Sequence, residues 1–172
     1  MKPIIIFALL FSILTHTVFA QSKTVIQQQA QLTADAFIHG DYNTFVKHTY
    51  PKLVAGMGGQ QKLIQKLKEG MNQMTAQGIS FKDVTIGEPG TIYHAGTELH
   101  CLVPQTLKLK VNGGTLVSTS YLIAISGDKG KSWSFVDAAK ITNTNAKKLF
   151  PNFNSQLVIP PVNKPVFYKD SI

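Results

Sequence analysis

The chain has 172 residues, 44% of them hydrophobic and 15% charged, with a formal net charge of +8; this balance fits one globular domain and excludes a low-complexity or disordered chain. All 17 basic residues are lysine, and without arginine's planar fork for phosphates and base edges the charge reads as a solvated surface, so no nucleic-acid partner is expected. The single cysteine, Cys101, can form no internal disulfide and cannot build a thiolate zinc site, so packing must hold the fold together.

The N-terminus carries the three parts of a secretory signal: the charge on Lys2, the apolar run "IIIFALLFSIL", and "THTVFA" with Val18 and Ala20 at the small-residue positions. The apolar run falls short of the roughly 18 residues that a spanning helix needs. A leader over 1–20 is therefore expected, with a mature chain from Gln21 that is exported to the periplasm or the extracellular space. No membrane span is expected after cleavage. The remainder reads as a single α+β domain over 21–150 and a Pro-rich extended tail over 151–172.

Val25, Ile26, Ala30, Ala34, Phe37 and Ile38 recur at three- and four-residue spacing, which predicts an amphipathic helix over Val25 to Ile38. Gly40 suits its C-terminal cap, and Asp41 can cap a second, short helix, "YNTFVKHTY", which Pro51 ends. After "GMGG" the helical pattern returns from Gln60 to Gln77 through Leu63, Ile64, Leu67, Met71 and Met74. Lys62, Lys66 and Lys68, with Lys52 nearby, give it a solvated basic face.

From Ile79 the period changes to two. "ISFKDVTIG" predicts a strand, and so does "TELHCLVPQTLKLKV", with Leu99, Cys101, Val103, Leu107, Leu109 and Val111 on its apolar face and a bulge or edge near Pro104. The same alternation puts His100 on the polar face, in solvent. Asn112-Gly113-Gly114 turns the chain into "TLVSTSYLIAIS", which presents Val117, Tyr121, Ile123 and Ile125 together, and "GDKGK" turns it again into "SWSFVDAAKI". Three segments joined by tight turns read as an antiparallel meander.

Helices followed by a long-stranded meander, with "HGDYNTF" joining the first two helices, resemble the nuclear transport factor 2-like superfamily, which includes ketosteroid isomerase-like and SnoaL-like proteins. The resemblance covers roughly Val25 to Ile141. It implies N-terminal helices packed on a strongly curved antiparallel sheet, a cystatin-like cone with a pocket, in which the second helix closes the mouth. It implies no reaction, because the acid base and the tyrosine-plus-acid oxyanion hole of the isomerase branch have no counterpart in this chain.

The site candidates are few. Trp133, Phe135 and Asp137 share a strand face, so Asp137 follows two aromatics toward the core, a setting that can poise a general acid or base. His48 and Tyr121 are its candidate partners, and Tyr50, Tyr121, Trp133 and Asp137 are candidate ligand contacts. "SGDKGKSW" resembles the Asp-box turn of sialidase-type propellers, which here reads as a structural hairpin because a single copy cannot make a propeller. Cys101 reads as an inert core residue. No histidine pair has metal-ligand spacing, so no metal site and no cofactor are expected. The expected function is a non-catalytic module that binds a small apolar ligand or a protein partner, a second copy of the chain included. The alternative is an isomerase or lyase working through Asp137.

Overall fold

The computed structural model describes residues 23–170; the leader expected over 1–20 lies outside the described residues. The helices come first: α1 over 23–38, then α2 (Tyr42–Lys47), α3 (Pro51–Gly56) and α4 (Gln60–Ala76). A six-stranded antiparallel sheet follows, built from β1 (Ser80–Ile86), β2 (Tyr93–Ala95), β3 (Glu98–Val111), β4 (Gly114–Ser126), β5 (Ser134–Asp137) and β6 (Val166–Lys169). One short helix, α5 (Ala146–Leu149), interrupts the path from β5 to β6. The architecture is α+β, with an open sheet.

The stretch "HGDYNTFVKHTYPKLV" makes three short decisions in sequence. Gly40 adopts φ +78° to end α1, and the Asp41 carboxylate accepts the Thr44 amide at 3.1 Å to start α2. Pro51 does not end that helix. It is the first residue of α3, a helix absent from the sequence reading, where its missing N–H is one that no helix would have paired. Between the two helices, residues 48–50 lie along β5: Phe135 N donates to His48 O at 2.8 Å, and Tyr50 N donates to Phe135 O at 3.2 Å.

The other sheet edge is closed by side chains. Gln31 of α1 accepts the Ile86 amide at 3.2 Å and donates to Val84 O at 3.1 Å, so one amide stands in for a neighbouring strand along β1. Gln29 accepts the Trp133 amide at 2.8 Å.

β1 and β2 share the outer edge of β3, and β5 and β6 share that of β4. β3 runs unbroken through Pro104, which pairs with Tyr121. The proline falls where the outer edge changes partner from β1 to β2, and its carbonyl is met there by the Gly87 amide at 2.8 Å. The bulge expected near Pro104 lies in β1 instead, between Phe81 and Asp83. Its extra residue puts Phe81 on the same face as Val84.

Both faces of the sheet are covered. On one, Ile26 and Ala30 of α1 pack with Val84, Cys101, Val103, Ala124, Trp133 and Phe135. On the other, Phe150, Phe153, Leu157 and Ile159 pack on Ile123, Ile125, Val136 and Tyr50. A boundary at residue 150 therefore cuts through a core, and although residues 161–170 are exposed, β6 within them is paired to β4. His100 is on this second face and is fully buried, not solvated as its parity suggested. Burial of a phenylalanine such as Phe150 contributes on the order of 2 to 3 kcal/mol. A smaller cluster of Val46, Val54 and Leu63 ties α2, α3 and α4 together.

Candidate functional site

Between the helices and the first face of the sheet lies a cavity of about 330 Å³, inside the size range of small-molecule sites. Its existence follows from side-chain size. Ala30 and Ala34, one turn apart on α1, line it where larger residues would fill it. Phe37, the next position on that stripe, packs against Phe45 of α2 in a tilted pair at 5.0 Å and meets Phe81 of β1 edge-on at 5.1 Å, which forms an aromatic end wall. Leu67, Leu107, Leu122 and Phe135 complete the apolar lining.

Polar groups enter at four places: Thr33, Thr49, Gln105 and Asp137. Thr33 is buried and donates its hydroxyl to Gln29 O at 2.7 Å; Thr49 donates to Phe45 O at 2.9 Å. Gln105, also buried, donates from Nε2 to Ser120 Oγ at 2.9 Å and to Asp137 Oδ2 at 3.1 Å. The other Asp137 oxygen accepts the Ala139 amide at 2.6 Å. Because a carboxylate only accepts, it fixes which way the Gln105 amide turns.

Of the four candidate ligand contacts, the cavity includes Asp137 alone. Alternation placed Asp137 on the face of Trp133 and Phe135, and it does reach the cavity, but as an exposed group beyond the aromatics and not enclosed by them. Tyr121 packs on the opposite face of the sheet, beside Ile123, so it cannot act with Asp137. Tyr50 is buried on that face as well, against Phe150 at 5.2 Å. Trp133 is buried beneath its turn, with the indole N–H on Gly130 O at 3.1 Å. His48 does not line the cavity; its backbone carbonyl pairs with β5. Sequence reasoning missed Thr33, Thr49 and Gln105. For Gln105 a signal existed: it sits at an odd position of β3, an amide in the stripe between Val103 and Leu107.

A second buried polar group lies across the sheet. His100 Nε2 is 3.1 Å from Glu98 Oε2, and the Tyr50 hydroxyl donates to Glu98 Oε1 at 3.1 Å. Lys52 approaches the same carboxylate at 3.9 Å. Nδ1 of His100 has no partner among the described residues. Burial holds this histidine below its ordinary pKa against the opposing pull of Glu98. Phe150 and Phe153, at 5.3 and 6.0 Å, close over it, so it sits within a core and faces no opening of the first cavity.

The "SGDKGKSW" segment is a closed hairpin turn. Asp128 Oδ1 accepts the Lys131 and Ser132 amides at 3.1 and 2.9 Å, and Oδ2 accepts the Ser132 hydroxyl at 2.6 Å. The Ser132 hydroxyl bond is the largest of the causes that lower the Asp128 pKa to about 2. The turn residues do not line the cavity.

Among the described residues, no three His, Cys, Asp or Glu side chains gather as a metal site would require, and no helix is long and apolar enough to cross a membrane. No family model, curated protein or solved structure matches the chain.

Proposed function

We propose that the chain is an exported binding module of the nuclear transport factor 2-like cone type that holds a small, mainly apolar molecule between its helices and its sheet. One observation carries this reading: a cavity of about 330 Å³ whose walls are aromatic and aliphatic, with four polar side chains converging on it. The order of four helices followed by a long antiparallel meander supports the cone, and the sequence of residues 1–20 supports export.

The enzyme alternative pairs Asp137 with His48 or Tyr121, and neither lines the cavity with it. The groups that Asp137 touches are the Gln105 amide and the Ala139 N–H, neither of which exchanges a proton in the working range. The binding reading therefore stands ahead of it. Fluorescence titration with a neutral naphthylamine dye tests it: one saturable site per chain is expected. Fluorescence that rises linearly with dye, without saturation, would leave the cavity without a role.

A further inference from the structure

The polar lining of the cavity is one-sided. Each side-chain donor on it is already used within the protein. The Thr33 and Thr49 hydroxyl hydrogens go to helix carbonyls, and the two Gln105 amide hydrogens go to Ser120 and Asp137. What remains for a guest is acceptor capacity: the threonine lone pairs, Gln105 Oε1 and the Asp137 carboxylate. A buried acceptor with nothing to accept is costly, and a guest bringing acceptors of its own would leave both sides unpaired.

We infer that the cavity takes an amine in its ammonium form carried on an alkyl or aryl body, with the apolar part against Phe37, Phe45 and Phe81 and the ammonium at Asp137. This rests on the cavity being a binding site at all. The assignment follows from charge as well as from hydrogen bonding. Asp137 is the one charged residue among the described residues that line it, and no described lysine belongs to the lining. The net positive charge of the chain acts from farther away, where salt screens it within about 10 Å. A carboxylate or phosphate guest meets repulsion at Asp137 and finds no donor. A carbonyl guest finds no donor either. An alcohol satisfies the hydrogen bonds but gains nothing from the charge.

The test is isothermal titration calorimetry with n-octylamine, n-octanol and n-octanoate at neutral pH, alongside the neutral naphthylamine dye. The amine is expected to bind about tenfold more tightly than the alcohol, the lower end for a charge-assisted contact at an exposed carboxylate, and octanoate most weakly. Asp137→Asn is expected to remove the advantage of the amine over the alcohol. Should that variant unfold, ionic strength serves in its place: added salt weakens the amine in the native chain and leaves octanol alone. If octanoate or octanol binds as tightly as the amine, or the amine ignores salt, the inference fails while the cavity remains a binding site. If neither the dye nor any of the three probes binds, the binding reading itself is lost and this inference with it.

Discussion

Replacing Asp128 by alanine deletes the acceptor around which the turn between β4 and β5 is built. Two backbone amides, those of Lys131 and Ser132, lose their partner, as do the hydroxyls of Ser126 and Ser132. The turn has little to fall back on, since Lys129 holds φ +63° and Gly130 φ +87°, conformations that a bare loop would not retain. Bonds to a charged acceptor are worth about 1.5 to 3 kcal/mol when buried; Asp128 is exposed, so about 1 kcal/mol for each amide, or about 2 kcal/mol in all, is the working figure. The ionisation of the group gives the same order. Held at about 2 in the fold against about 3.9 in an unfolded chain, the carboxylate contributes at most about 2.6 kcal/mol, and solvent screening brings that lower. For a chain of this size the melting temperature should drop by about 4 to 8 °C at pH 7. Because the folded pKa is depressed, the contribution is complete above about pH 5 and is lost as pH falls toward 2. Thermal unfolding followed by circular dichroism should therefore show the gap between wild type and Asp128→Ala about half as wide at pH 3 as at pH 7. Equal melting temperatures at pH 7, or a gap indifferent to pH, would refute the hydrogen-bond account of the turn.

Trp133→Ala, which empties the space under the same turn, should cost about 3 to 5 kcal/mol, read as a lower urea midpoint with an unchanged slope; a shift below 1 kcal/mol would mean that the indole is not packed as described. Cys101, fully buried and with its thiol pushed up to about 11 by that burial, should react with a maleimide only as fast as the protein opens; native labelling at the denatured rate would contradict its position. His100 is neutral in the fold because burial lowers its pKa, so the unfolded chain takes up the proton first and stability falls as pH drops through about 6.5. The loss of melting temperature between pH 7 and pH 5 should shrink in His100→Phe, and an identical loss in both proteins would show that His100 is not responsible.

The inward stripe of α1 was legible because an amphipathic helix has one buried face, and Ile26, Ala30 and Phe37 fall on it at the helical period. The strands were legible as elements but only half legible as faces. Alternation assigns residues to two sets and does not say that both sets are covered. Cys101 and Val103 were placed correctly, while His100 and Tyr121 were misjudged for the same reason: Phe150, Phe153, Leu157 and Ile159 supply a second core that a proline-rich segment did not advertise. The pair Phe150 and Phe153, three residues apart, was the available signal. The bulge that turns Phe81 into the cavity has no mark in "SFKDV", since an inserted residue leaves the local composition unchanged. At the site, Asp137 was readable from its alternation with Trp133 and Phe135. Thr33 and Thr49 were not, because a threonine that bonds back to the carbonyl four residues before it, whether inside α1 or just past the end of α2, looks in sequence like any surface threonine.

The central claim is that the space beside Ala30 and Ala34 exists to be occupied by a guest. Ala34→Phe places a ring in that space without touching Asp137 or the turn. Titrating wild type and Ala34→Phe with the neutral naphthylamine dye measures the claim directly. The account predicts saturable binding at one site per chain in the wild type, and its loss in a variant that melts at or near the wild-type temperature. A variant that stays folded and binds the dye as tightly as the wild type would contradict it.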